Sequence, residues 1–198
     1  MIFPNTTKAT ASENGIAVAT IGPDSPVTII TALSKMPSVL NPLLEGIIRV
    51  YDPIELPPDS LELLPETDLK IQFNSLILYA DEVRELVGFM SLIENIIDSI
   101  DQQAPGSANR FLWAINKKYR DCKNRLVLNK DIDLTNKDLI HQCICSNADK
   151  LFDEVTEELF QTVRTDMDCE IEIMQSAQRL IVCYGFINCK VLERPDDC

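Results

Sequence analysis

The apolar segment from Leu76 to Ile100 constrains the fold of this chain more than any other stretch. Its seam residues recur at alternating spacings of three and four positions: Leu76, Tyr79, Val83, Leu86, Met90, Ile93, Ile97 and Ile100. That spacing is typical of a helix that buries one seam along its whole length. Further apolar residues widen the seam and leave only a narrow polar stripe. We therefore expect a helix over residues 76–101 at the centre of a bundle.

Three further helices are predicted after this one. Residues 108–128 carry an amphipathic pattern with apolar positions three and four apart. Residues 135–164 open with a Thr-x-x-Asp capping box, and the sequence at 146–149 could kink or restart this helix. Asp168 can cap the last helix, whose apolar run Leu180–Ile187 is also compatible with a buried strand.

The first 75 residues predict extended chain with short strands. Two β-branched runs, Ile16–Ile21 and Val27–Leu33, flank a Gly-Pro-Asp-Ser-Pro turn and indicate a β-hairpin. Prolines then punctuate the chain, so we expect a turn of helix near Val39–Leu44 and strands near Ile47–Tyr51 and Leu69–Phe73.

These patterns define the predicted fold class and domain organisation. We expect a mainly α protein with a four-helix bundle-like core around the central apolar helix, 76–101. An extended region with a short β-hairpin precedes it, which makes the fold α+β overall. The corresponding domains are an extended N-terminal region, 1–75, and a helical bundle domain, 76–198.

Composition limits the functions open to the chain. A net charge of −13 disfavours binding of the whole molecule to nucleic acid or to an anionic membrane. No apolar run approaches the roughly 20 residues that span a bilayer, and no secretory signal pattern opens the sequence. The seven cysteines are then expected to be reduced thiols in a cytoplasmic compartment, with a virion or large complex as a more specific setting.

Residues for catalysis or cofactor binding are scarce. His141 is the single histidine, and none of the six glycines forms a Gly-x-Gly pair. The one metal-like cluster is His141-Gln-Cys143-Ile-Cys145, yet residues two apart on a helix point about 200° apart. Buried thiols beside a surface histidine are therefore favoured over a zinc site. We predict no enzyme activity, no cofactor and no metal.

Charge is distributed unevenly along the helical region. Residues 110–130 contain seven basic side chains against one acidic side chain, and residues 149–172 contain nine acidic against two basic. Candidate interaction residues are therefore Arg110, Lys117, Lys118, Arg120, Lys123, Arg125, Asp153, Glu154, Glu157 and Glu158.

Three interpretations of this charge pattern compete. The basic helix can face acidic neighbours within its own fold. It can instead meet the acidic face of the next subunit in a head-to-tail contact, which builds rings or filaments. The third is a track for phosphates, with Trp113 and Tyr119 as stacking groups. Both aromatic residues could equally belong to the core, and Tyr119 falls on the apolar face of its helix.

The segment Pro65–Phe73, followed by the long apolar helix, resembles the strand-then-helix segment in coat proteins of rod-shaped plant viruses. Those are also acidic helical-bundle proteins. The resemblance covers about thirty residues, and the later helices do not align with that family. It implies a coat-like role in assembly.

The sequence thus predicts a non-enzymatic structural or assembly subunit of a multi-subunit complex, coat-like in the viral case, which associates with itself. The alternative is a cytosolic helical-bundle adaptor or inhibitor that offers an apolar groove to a host or partner protein. A second alternative is nucleic-acid packaging through residues 110–130. No membrane partner is expected.

Overall fold

In the computed structural model, the chain is mainly helical. The structure describes residues 38–54, 65–130, 132–161 and 169–195, all within one unit that spans residues 36–198. This part of the chain contains no strand and eight helices: α1 (Asn41–Ile48), α2 (Pro65–Asn74), α3 (Ala80–Val87), α4 (Met90–Gln103), α5 (Ser107–Asn129), α6 (Lys137–Cys145), α7 (Ala148–Phe160) and α8 (Ile171–Ile187). The predicted hairpin over residues 16–33 lies outside the described residues. Of the helices in these ranges, none is long and apolar enough to cross a membrane.

The central helix is α8, so the prediction of a centre at 76–101 is wrong. α8 packs against α1, α3, α4, α5 and α7. Every residue from Leu180 to Phe186 is buried, which covers the whole circumference of the helix. A helical segment with no polar face, such as this second half of α8, belongs in the middle of a bundle. Because residues 180–187 are helical, the alternative of a strand there is also wrong.

The segment 76–101 forms two helices instead of one. Its seam is confirmed: six of the eight seam residues are buried, and Tyr79 and Ile100 are partly buried. The helix is interrupted at Gly88 and Phe89, whose N–H groups bond to carbonyls three residues back at 3.3 and 3.1 Å. These tight bonds close α3, and Phe89 is buried edge-on against Tyr51 at 5.1 Å between ring centroids.

Neither strand predicted before residue 75 within the described ranges is formed. Residues 69–73 lie in α2, and residues 47–51 comprise the end of α1 and the turn that follows it. The turn of helix predicted near 39–44 is confirmed and continues to Ile48 as α1. In α2, Pro65 occupies the first turn together with Glu66 and Asp68, and all three favour a helix N-terminus. Because α2 is helical, the strand on which the resemblance to viral coat proteins depends is absent from residues 65–73.

The later helices lie at their predicted positions, but the residue that caps α6 is not the predicted one. The predicted helix 108–128 corresponds to α5, and 135–164 divides at the anticipated restart into α6 and α7. The cap of α6 is Asn136, whose Oδ1 accepts a hydrogen bond from the Leu139 N–H at 3.1 Å. The Thr135 hydroxyl bonds to Asp133 instead, at 2.7 Å. Asp168 lies outside the described residues.

The segment after α8 folds back onto α2 and α5. The fully buried Asn74 donates to the Glu193 carbonyl and accepts from the Glu193 N–H, both at 2.9 Å. The Glu193 carboxylate accepts hydrogen bonds from Lys123, at 2.6 Å, and from the Tyr119 hydroxyl. Burial alone would raise the pKa of Glu193, but these hydrogen bonds to its ionised form outweigh burial and lower the pKa.

Candidate interaction surface

Part of the charge complementarity predicted from the sequence is satisfied within the chain. Helices α5 and α7 pack along each other. Across this contact, Glu158 pairs with Lys118 at 3.4 Å and with Arg125 at 3.0 Å. The interpretation of a basic helix that faces acidic neighbours in its own fold therefore accounts for these three residues.

Three more of the predicted interaction residues also pair inside the fold. Lys123 pairs with Glu193 at 2.6 Å. Asp153 pairs with Arg179 at 3.1 Å, and Glu154 with Lys150 at 3.7 Å. Each of these side chains therefore has an ion-pair partner within its own chain.

The remaining basic residues form an exposed row on α5. Arg110, Trp113, Lys117 and Arg120 follow one another at helical spacings of three and four, so they share one face, and we call this set the α5 stripe. Trp113, the only tryptophan of the chain, is 61% exposed. Arg120 makes no ion pair with another described residue, and Lys117 makes one exposed pair with Asp121 at 3.0 Å. An exposed pair of this kind contributes little to stability.

An apolar groove adjoins the N-terminal end of this stripe. It lies between α1 and α4 beside the start of α5, has a volume of about 810 Å³, and we call it the α1–α4 groove. Its residues are mainly apolar and small: Ser38, Val39, Pro42, Glu45, Gly46, Arg49, Val50, Leu92, Asn95, Ile96, Ser99, Ile100, Gln103, Ala104, Ser107, Arg110 and Phe111.

Gly46 sets the close approach of α1 to α4 beneath the groove. A Cβ atom at position 46 would lie 2.6 Å from Cγ2 of Ile96, so the glycine permits a contact that alanine would block. On the groove wall, Val39 is 39% exposed and Val50 is 58% exposed. Apolar side chains therefore face open space at both ends of α1.

Arg110 belongs to both surfaces and makes them continuous. It lines the groove, and its guanidinium donates to the Pro105 carbonyl at 2.8 Å, which fixes it at the groove mouth. Glu45 and Arg49 are the other charged residues of the lining. The groove mouth thus carries two cations and one anion on a chain whose net charge is −13.

Tyr119 is not part of this surface: of its two predicted roles, the structure shows the core residue and excludes the stacking group. It is 4% exposed and belongs to the core. Burial, reinforced by the neighbouring Glu193 carboxylate, raises the pKa of its hydroxyl far above the usual value. The sequence already placed Tyr119 on the apolar face of its helix, and the structure assigns stacking capacity on α5 to Trp113 alone.

The His141 cluster is divided between two environments. The His141 ring stacks on Phe73 with centroids 4.3 Å apart, and its Nε2 lies 3.4 Å from the Cys145 sulfur. Cys143 is buried on the core face of α6. Among the described residues, no three His, Cys, Asp or Glu side chains are grouped as a metal site requires.

Two buried or half-buried cations lack any signal in the sequence. Arg179 on α8 lies over the Tyr79 ring, 4.6 Å from its centroid, and pairs with Glu82 at 3.4 Å and with Asp153. It lines a polar cavity together with exposed Glu157. Lys70 on α2 is 2% exposed. Lys70 occurs in an alternating stretch that predicts a solvent-facing side chain, so periodicity could not identify it.

The sequence matches no protein-family model, and comparison with curated proteins and with solved structures finds no similar chain.

Proposed function

We propose that this chain is a non-enzymatic protein-interaction subunit that binds an acidic amphipathic helix of another protein. The α1–α4 groove would receive the apolar face of that helix, and the α5 stripe would pair with its carboxylates. The observation that carries the proposal is exposed Trp113 between Arg110, Lys117 and Arg120, next to an apolar groove. Tryptophan and arginine are the residues most enriched among those that dominate binding energy.

The chemistry of the groove selects this occupant. Apolar walls at Val39 and Val50 suit leucine or isoleucine side chains that recur along a helix. Cations outnumber anions on the groove mouth and the stripe, so acidic flanks give favourable charge complementarity. This is the adaptor alternative drawn from the sequence, which requires an apolar groove.

Trp113 provides a direct measurement because it is the only tryptophan. The probes are two helical peptides of about 20 residues that share a leucine face and differ in an acidic or a basic polar face. We expect the acidic peptide to change Trp113 emission saturably and the basic peptide to have no effect. Lys117→Glu/Arg120→Glu should weaken binding about tenfold or more. Equal binding of both peptides would contradict the proposal.

Matched variants separate the groove from general charge effects. Lys137→Glu/Lys150→Glu changes the net charge equally at exposed positions away from the stripe, and it should leave the affinity unchanged. Val50→Glu places a carboxylate in the groove and should weaken binding. Ile54→Glu, at a position 89% exposed and outside the groove lining, is its control.

A second candidate function is head-to-tail self-assembly, as in the structural subunit predicted from the sequence. The observation that favours it is Glu157, which is exposed on α7 and makes no ion pair within the described ranges. The α5 stripe of one copy would pair with this carboxylate of the next. Sedimentation velocity should then show oligomers that dissociate with salt or in Arg120→Glu. Their restoration in Arg120→Glu/Glu157→Lys would support assembly over the adaptor function.

Nucleic-acid packaging is a third outcome of the same measurements. Single-stranded RNA that quenches Trp113 with a steep salt dependence, while the acidic peptide has no effect, would replace both proposals.

A further inference from the structure

Lys70 and Cys189 meet at one carbonyl oxygen. The Lys70 ammonium donates to the Phe186 carbonyl at 2.6 Å, and the Cys189 N–H donates to the same oxygen at 3.0 Å. The Cys189 thiol itself donates to the Ile187 carbonyl at 3.7 Å. The left-handed backbone of Cys189, with φ of 55°, turns the chain back at the end of α8 and holds the residue there.

Both side chains line one cavity. It has a volume of about 400 Å³ and lies between α2 and the segment that follows α8. Leu69 and Ile187 contribute apolar wall, and exposed Arg194 contributes a cation. Because Cys189 is only partly buried, whereas Lys70 is 2% exposed, a reagent in this cavity reaches the thiol before the amine.

Burial gives the Lys70 amine unusual chemistry. It lowers the pKa of Lys70 to about 8, against the weaker opposing influence of Cys189. About one tenth of the Lys70 side chains are therefore neutral at pH 7, and only a neutral amine is a nucleophile.

We propose that Cys189 and Lys70 form an acyl-acceptor site, in which the Cys189 thiol takes a short acyl group from a thioester and passes it to Lys70. In the first step the Cys189 sulfur replaces the carrier thiol on the acyl carbon, and the carrier leaves as a free thiol. In the second step the Lys70 nitrogen forms an amide bond, the carbon–sulfur bond breaks, and the proton from nitrogen returns to the Cys189 thiol. No oxidant or reductant is required.

The amide product suits this position better than the ammonium ion does. Acylation removes the charge that burial disfavours. The remaining N–H can still donate to the Phe186 carbonyl. The second step is intramolecular between two residues that line one cavity, which favours it over attack by solvent-exposed lysines on free thioester.

The test is site-resolved mass spectrometry after incubation of the full chain with acetyl-coenzyme A. Lys70 should be acetylated about tenfold faster than the exposed Lys137 and Lys150. Cys189→Ser should lower the rate at Lys70 to that of the exposed lysines or below, and it should leave the rates at Lys137 and Lys150 unchanged. Equal acetylation of Lys70 with and without the thiol would overturn the proposal.

A second variant tests the first step by itself. In Lys70→Met the acyl group has no amine to reach, so it should accumulate on Cys189 as a thioester that hydroxylamine removes. Circular dichroism confirms that each variant is folded before the comparison. A folded Lys70→Met variant that forms no thioester would overturn the site, and neither result bears on the α5 stripe or the groove.

Discussion

Lys70 couples the stability of the fold to pH. Its ammonium lies over the Phe186 ring at 4.4 Å from the centroid, in addition to its hydrogen bond with the Phe186 carbonyl. Burial lowers its pKa from 10.5 to about 8. Between those values the unfolded chain binds the proton and the folded chain releases it. Stability from this group therefore rises as pH increases through that window.

We predict that the free energy of unfolding of the wild type rises, relative to Lys70→Met, by about 3 kcal/mol between about pH 7 and pH 10.5. Urea denaturation of both proteins over this range measures the difference. Burial also raises the pKa of cysteines such as Cys183, so their contribution to stability falls as pH rises. This effect is the same in both proteins and cancels in the difference. Parallel curves for the two proteins would mean that Lys70 keeps its ordinary pKa.

Asp149 organises the turn that precedes α3. One carboxylate oxygen accepts hydrogen bonds from the backbone N–H groups of Ile77, Leu78 and Tyr79 at 3.0, 2.7 and 3.3 Å. α3 has no side-chain cap of its own, so Asp149 supplies the cap from α7.

We predict that Asp149→Ala lowers the free energy of unfolding by about 1–2 kcal/mol, as the loss of an N-cap does. Asp149→Asn retains an acceptor oxygen and should recover much of that loss. Chemical denaturation of the three proteins measures the series. If Asp149→Asn is as unstable as Asp149→Ala, the stabilisation comes from the negative charge of the carboxylate and not from the position of an acceptor oxygen.

Periodicity identified apolar residues in the core but could not identify buried polar ones. The burial of Phe111, Ile115 and Tyr119 on α5 follows from their spacing. Nothing local distinguishes Lys70 or Arg179 from surface cations, because their burial depends on a carbonyl or on carboxylates from distant segments.

At the scale of elements, α8 approaches α5 closely at one glycine. Gly185 on α8 permits this approach, because a Cβ atom there would lie 2.5 Å from Cγ2 of Ile115 and 3.3 Å from Cγ2 of Val191. An alanine usually stabilises a helix interior by about 1 kcal/mol relative to glycine. Here the clash is with branched carbons near the backbone, which have little freedom to move.

We therefore predict that Gly185→Ala destabilises the protein by about 1–3 kcal/mol despite its better helix propensity. Ile115→Ala removes the clashing carbon, so Gly185→Ala should cost less in that background than in the wild type. A double-mutant cycle by urea denaturation measures this coupling. Strictly additive effects would show that the two helices do not meet at Gly185.

Helix positions were easier to predict than helix breaks and helix order. The seam from Leu76 to Ile100 faces the core, as its spacing indicates. The break at Gly88–Phe89, by contrast, accompanies the packing of Phe89 against Tyr51 from a distant segment. Likewise, the apolar run of α8 was ambiguous between strand and helix. Its central position follows from how many helices surround it, which sequence spacing does not encode.

At the scale of the whole molecule, the charge pattern indicated that basic side chains of α5 meet carboxylates. It did not indicate whether those carboxylates belong to the same chain. Lys118 and Arg125 are balanced by Glu158 in the same chain, whereas Arg110 and Arg120 face outward. Both outcomes are compatible with the same distribution of charge along the sequence. The division between internal pairs and a free surface is set by the packing of α5 on α7.

The segment after α8 completes the bundle, so its removal should affect the whole fold. Val191 is fully buried and Leu192 is 3% exposed, and burial of two such side chains contributes about 3–6 kcal/mol. Loss of Glu193 would leave Asn74 buried without these partners, at a further cost of about 1–3 kcal/mol. The sum is comparable with the entire stability of an ordinary domain, about 5–15 kcal/mol.

We predict that truncation after Lys190 leaves a chain that is largely unfolded at 37 °C or melts far below the full-length protein. Thermal denaturation followed by circular dichroism measures the difference. Arg194→Ser changes an exposed residue of the same segment that makes no ion pair with another described residue, and it should shift stability by less than about 0.5 kcal/mol. Val191→Ala/Leu192→Ala should fall between these two, because it removes apolar burial and keeps the Asn74–Glu193 pairing. A truncated chain as stable as the full-length protein would show that α2, α5 and α8 close the core without this segment.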